Sequence, residues 1–192
     1  MSSLASRGRS RGFSLLEVMV SVIVICVGLL GIAKLQALAL SNTTTSRLRA
    51  LAAIQAASMA SSMHSNREYW GNPPNTVTLT GTTITSSDAA LQSAVGTANA
   101  GTLCIGTSGS GSACQAVPLA AFDLVRWSNS LATLLPNPAA TISCPSIPGG
   151  GPASCTITVN WSEKAVAINA QEANAAANAQ FESPSYTLYV EP

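Results

Sequence analysis

Apolar and polar positions change their period along the chain, and each change predicts an element. Residues 18–33 form an uncharged run in which Ser21 is the only polar side chain. With the apolar residues of 13–16 and 35–40 the span reaches about 28 residues, more than the roughly 20 that a helix needs to cross a hydrocarbon core. From 41 to 69 neither Gly nor Pro occurs, and Leu48, Ala52, Ala56, Met59 and Met63 fall at helical spacing. That spacing predicts an amphipathic continuation lying on a domain core. One helix over 13–69 would be roughly 85 Å long at 1.5 Å per residue. Gly71-Asn72-Pro73-Pro74 stops it, since Gly and Pro in a row break helices. An alternative break lies at 41–45, where three threonines lower helix propensity.

Beyond the breaker the period becomes two. Residues 75–85 alternate apolar and β-branched side chains, which predicts a short strand or hairpin. The Ser-, Gly-, Ala- and Thr-rich stretch 86–115 reads as a loop region. Phe122, Val125, Leu131, Leu134 and Leu135 then restore helical spacing near 121–135, and Pro136 ends that helix. Strands are predicted at 140–143 and 155–161, on either side of the Gly- and Pro-rich loop 145–152, and again at 186–190. The Ala/Asn-rich stretch 163–180 has no apolar stripe and mixes a strong helix former with a weak one. It reads as a surface insertion, with a short surface helix as the alternative. The whole pattern is α+β: a long N-terminal helix, a membrane anchor in its first half, packed on a small β-rich domain.

Composition narrows the function. Only 9% of the 192 residues are charged and the net charge is +1, so the clustered Lys and Arg that hold nucleic acid or another polyanion are missing from the polar half. Arg7, Arg9 and Arg11 sit together ahead of the apolar run, the flank of a membrane-targeting segment. By the same asymmetry, residues 1–12 face the cytoplasm and everything after about residue 40 lies outside the inner membrane. A cleaved secretory signal has an apolar region of only about 7–15 residues and a small-residue cutting site. Here the apolar run continues without a breaker into Lys34-Leu35-Gln36, which favours a retained helix.

The cysteines divide by location. Cys26 lies inside the apolar run and reads as a small hydrophobe. Cys104, Cys114, Cys144 and Cys155 lie in loop-like sequence, in a compartment that permits disulfides. Four cysteines allow three pairings. The local pairs Cys104–Cys114 and Cys144–Cys155 enclose short Gly/Ser/Pro-rich loops and are preferred. A metal site is not expected, because the spacings are too wide for a zinc knuckle and no histidine is near. His64 is the single histidine and reads as a surface or interface residue. No CxxC, nucleophile elbow or Walker loop occurs, and Asp123 and Glu163 stand as isolated acids in the sequence. An enzyme and a cofactor are therefore not expected.

Glu17 is the anomaly, since a carboxylate near a membrane helix costs about 2.5–3.5 kcal/mol on insertion scales and so tends to have a partner. The plain alternative is that Glu17 marks the interfacial edge of the helix, with the span starting at Val18. If the chain were cut between Gly12 and Phe13, Phe13 would carry a free amine and Glu17 would lie four residues on along the same helix face, so that the two could neutralise each other within one chain or pair between neighbouring chains. Gly12-Phe13-Ser14-Leu15-Leu16-Glu17-Val18 after a short basic leader resembles the class III signal of type IV pilins and pseudopilins. The resemblance implies cutting after Gly12 by a prepilin peptidase, N-methylation of Phe13, and a Glu17 that contacts the terminal amine of a neighbouring subunit. Ser14 stands where many of these proteins have threonine. No proline interrupts the anchor, so Gly28 and Gly31 are its only weak points, at about 1 kcal/mol each relative to alanine; close packing between helices is the equal alternative.

Asp123, Trp127, Leu131 and Leu134-Leu135-Pro136, followed by the cysteine-flanked loop and Val159-Asn160-Trp161-Ser162, resemble PilV-type minor pilins, as does Gly28-Leu29-Leu30-Gly31 leading into Leu35-Gln36. The resemblance implies a pilin fold in four parts: a cleaved leader 1–12, a transmembrane half-helix 13–40, an amphipathic half-helix 41–70 and a β-rich domain 71–192. It implies a part in pilus initiation or at the pilus tip, and so in adhesion or twitching motility. The implied partners are the major pilin, other minor pilins, the prepilin peptidase and inner-membrane assembly proteins. The alternatives are a minor pseudopilin of type II secretion and a membrane-anchored exported binding protein. Trp127 and Trp161 read as core residues.

Overall fold

The computed structural model describes residues 13–72, 75–98, 115–146, 149, 151–164 and 181–192. They fall into two compact units, Met1–Thr43 and Thr44–Pro192. Helix α1, Leu15–Ser65, belongs to both and is unbroken over 51 residues. The threonine cluster does not interrupt it. Thr43 turns its hydroxyl back on the helix and donates to the Ala39 carbonyl at 2.9 Å, so the polar group is satisfied without leaving helical geometry.

Within the second unit, Ala52, Ala56, Met59 and Met63 of α1 are buried at intervals of three and four residues, the stripe that the spacing predicts. The helix ends at Asn66, which is itself buried and donates through its side chain to the Ala116 carbonyl at 2.7 Å. A single turn, α2 (Arg67–Trp70), follows and closes on Gly71. A Cβ at Gly71 would stand 2.6 Å from the Arg67 carbonyl oxygen, so no side chain fits where the chain leaves the helix.

A five-stranded antiparallel sheet forms the other layer. Its strands are β1 (Asn75–Thr80), β2 (Thr83–Ser86), β3 (Ala139–Cys144), β4 (Cys155–Asn160) and β7 (Ser185–Val190), in the order β2-β1-β3-β4-β7. Together with α1 this is the α+β arrangement expected, a long N-terminal helix packed on a small antiparallel sheet. Period-two alternation divides the sheet into two faces. Val77, Leu79, Ile84, Ala140, Ile142, Ile157 and Val159 are buried on the inner one with Met59, Met63, Leu124 and Leu131. The outer one carries Thr76, Thr78, Thr80, Thr83, Thr85, Thr141, Thr156, Thr158 and Thr187 among other uncharged residues.

Two elements differ from the sequence reading. The stretch predicted as loop holds a helix, α3 (Ala89–Ala98), with Leu91 and Val95 buried four residues apart. Two large apolar residues in Ala/Ser/Thr-rich sequence leave no visible stripe. Asp88 starts the helix, its Oδ1 accepting from the Ala90 amide at 2.9 Å, as capping acids do. The second difference is α4 (Ala116–Leu134), which begins five residues ahead of the predicted start at 121. Pro118 lies in its first turn, where the amides have no intrahelical partner and proline is tolerated.

Cys144 and Cys155 form a disulfide at the end of the β3–β4 ladder, with Cα atoms 4.2 Å apart. The pair lies one step beyond Ser143↔Thr156 in the strand register. Closing a loop of sequence separation 11 removes denatured-state entropy equivalent to about 3 kcal/mol. Cys104 and Cys114, and the pairing proposed for them, lie outside the described residues. So does most of 163–180, of which Glu163–Lys164 forms β5 and pairs with β6, Phe181–Glu182.

Candidate functional site

The described part of the N-terminal segment begins with Phe13 and Ser14 in non-helical backbone. The Ser14 carbonyl accepts from the amides of Glu17 and Val18 at 3.0 and 3.3 Å, so the first turn of α1 starts at the motif itself. Phe13 is 82% exposed. Glu17 occupies the first turn, where the unpaired amides of a helix start favour a negative charge by about 0.3–1 kcal/mol. Gly12 lies outside the described residues. From Leu15 to Leu40 every large aliphatic side chain but that of Leu38 is exposed, and between Glu17 and Lys34 the exposed surface carries no charge. Ser21 hides its hydroxyl by donating to the Val18 carbonyl at 2.8 Å. Cys26 is exposed with its thiol free. α1 is long and apolar enough to cross a membrane. A Cβ at Gly28 or Gly31 would meet no atom within 4 Å, so both positions are open on the helix surface.

Residues 7–33 match the family model of the prokaryotic N-terminal methylation motif. The match spans the basic leader, Phe13, Glu17 and the uncharged run, and it supports a type IV pilin-like or pseudopilin-like protein. Such proteins are structural rather than enzymatic. The motif implies processing by a prepilin peptidase and assembly with pilus components, and with the apolar helix it supports membrane anchoring before assembly. No curated protein and no solved structure matches the chain.

In the second unit Trp127 and Trp161 are core residues with satisfied ring nitrogens. Trp127, 5% exposed, donates from Nε1 to the Gln55 carbonyl of α1 at 2.9 Å. Trp161 donates from Nε1 to Oε1 of Glu163 at 2.8 Å. Glu163 is not isolated in the fold: it is buried, and its other oxygen lies 3.5 Å from the Arg49 guanidinium of α1. The contact joins residues more than a hundred positions apart, so no local spacing could have announced it.

Asp123 and Arg126 of α4 line a cleft of about 380 Å³ with Gln55, Ser58 and Ser62 of α1. Burial raises the Asp123 carboxyl above its ordinary value of 3.8, and Arg126 offsets this only in part. A carboxyl raised in the folded state is stabilising while protonated and loses that contribution as pH rises through its folded value. Asp123→Asn is therefore expected to melt above the parent at neutral pH. The two melting curves should converge below the ordinary value of 3.8, as thermal scans across pH would show. Tyr69 is raised as well, by burial first and then by its hydrogen bond to Asp88, with Oη 3.0 Å from Oδ2. His64 ends α1 beside Leu188 and Tyr189 in a shallow groove. Among the described residues no group of His, Cys, Asp and Glu could hold a metal ion.

Proposed function

We propose that the chain is a minor type IV pilin of the PilV kind, acting in pilus initiation or at the pilus tip and so in adhesion or twitching motility. One observation carries the reading: the methylation motif runs without a break into an exposed helix whose residues 18–33 carry no charge. Gly12 is the cutting site, Phe13 supplies the new amine and takes the methyl group, and Glu17 sets the register of one subunit against the next. Residues 1–12 lie in the cytoplasm, residues 13–40 cross the inner membrane, and the domain of 71–192 lies on the far side. Extraction from the membrane exchanges lipid contacts of the apolar surface for contacts with other pilin helices. The large unpartnered apolar area makes that exchange nearly neutral in hydrophobic terms, which leaves packing and the Glu17 contact to decide the arrangement. The C-terminal pattern around Asp123, Trp127, Leu131 and Trp161 favours a pilus over a secretion pseudopilus, while the motif serves both machines.

Mass spectrometry of the chain extracted from membranes tests the processing step. The expected mass lacks residues 1–12 and carries one added methyl group at Phe13. An intact Met1 on the membrane-bound chain sinks the reading and leaves a membrane-anchored exported protein. Co-purification with pilus alignment proteins, rather than with secretion-gate proteins, is the expected outcome for the pilus assignment.

A further inference from the structure

The outer face of the sheet carries an ordered row of side chains. Thr85, Thr78, Thr141, Thr158 and Thr187 face one another in register, one from each strand. Adjacent strands are about 4.8 Å apart, so the row sets one threonine at that interval across the sheet, with Thr85 donating its hydroxyl to the Thr78 carbonyl at 3.2 Å. Two of the hydroxyls, those of Thr158 and Thr187, lie 3.3 Å apart. None of the outward-facing residues of the five strands is charged. Tyr189 stands on the same face in register with Thr156 and is 76% exposed.

We propose that this face binds neutral polysaccharide, with the threonine row as a hydroxyl lattice and Tyr189 as the ring on which a sugar stacks. A pyranose presents hydroxyls at its rim and C–H groups on its faces, and threonine offers both partners from one short side chain. The interval between strands is close to the length of one sugar ring in an extended β-linked chain. Threonine is stiff at χ1, and the face rests on a packed core with β3 and β4 joined by the Cys144–Cys155 disulfide. Little conformational freedom is then lost when a ligand settles on it. Tyr189 supplies the amphipathic ring that an uncharged hydroxyl surface otherwise lacks. A polyanion finds no cation among the described strand residues of the face. A second copy of the sheet would find threonine methyls and one tyrosine ring but no large aliphatic side chain to bury, which makes sheet-on-sheet pairing the weaker occupant. The inference concerns the second unit alone and holds whichever export machine the anchor serves.

The test uses the full chain in detergent micelles, with microcrystalline cellulose and insoluble starch as neutral probes and heparin beads as the anionic contrast. Retention is expected on at least one neutral probe and not on heparin. Thr158→Lys, at the middle of the row, is expected to lower the retained fraction by about tenfold, equivalent to 1.4 kcal/mol. Tyr189→Ala and Thr187→Lys, both at exposed positions, are expected to weaken retention severalfold, and they keep the test open if Thr158→Lys fails to fold. Ala132→Lys, on the exposed side of α4, should leave it unchanged. The proposal is overturned if the parent chain passes through both neutral probes. It is equally overturned if the folded lattice variants bind as the parent does, or if they abolish only self-association in sedimentation.

Discussion

Glu17→Ala is expected to leave the chain in the membrane and to lower its recovery in sheared fibres by at least about tenfold, or 1.4 kcal/mol. Both halves follow from the place of Glu17 in the first turn of α1, ahead of an uncharged exposed run. A carboxylate costs about 2.5–3.5 kcal/mol at the centre of a membrane helix on insertion scales, and less at the edge of the hydrocarbon. Its removal makes insertion easier, so a fibre defect could not come from failed anchoring. In the proposed fibre the terminal amine of a neighbouring Phe13 would instead lose its counter-charge, and an unpaired charge drawn out of water costs several kcal/mol. Part of that is recovered where the amine stays hydrated, hence the more modest fold-change. Glu17→Gln keeps the length and shape of the side chain and should share the defect. Normal fibre recovery of the Gln variant would mean that packing, not charge, aligns the subunits. Normal recovery of both would remove Glu17 from assembly.

The parts of this molecule that could be read from sequence are those whose physics is local. The anchor is a continuous run, the stripe through Ala52, Ala56, Met59 and Met63 has a fixed period, and the β3–β4 disulfide closes a short loop. Each is complete within a few turns or a few residues. α3 was hidden because only Leu91 and Val95 face the core, and alanine and threonine surround them. The early start of α4 was hidden because Pro118 looks like a breaker until it is placed in a first turn. The Glu163 contacts needed the fold itself, since Arg49 reaches the carboxylate only once α1 lies beside the start of β5. The threonine row lies between these cases. The alternating threonines of β1, β2 and β4 are visible in their own strands, but β3 and β7 hold one threonine each, and the alignment of all five strands into one row depends on register. Register in turn is set by which residues each strand must bury.

Trp70 shows how sharply that core discriminates. Its side chain is fully buried and its ring meets Tyr69 edge-on, with centroids 5.0 Å apart. Its Nε1 is buried and finds no hydrogen-bond partner among the described residues, unlike those of Trp127 and Trp161. Two costs therefore pull in opposite directions. Trp70→Ala empties a large site in the core that its surroundings cannot fully close, and such truncations cost about 3–5 kcal/mol. For a unit of this size each kcal/mol lowers the melting temperature by about 2–4 °C. Trp70→Phe keeps most of the apolar contact and removes an unpaired N–H whose burial costs about 1–3 kcal/mol. That relief offsets the smaller cavity left by the indole, so the Phe variant is expected within about 1 kcal/mol of the parent. Near-UV circular dichroism melts of the two variants in the same detergent decide the matter. A loss in Trp70→Phe as large as that in Trp70→Ala would mean that the indole nitrogen holds a hydrogen bond essential to the fold. A small loss in both would mean that the site collapses around alanine and that the α2 turn, not the tryptophan, positions the chain as it leaves the helix.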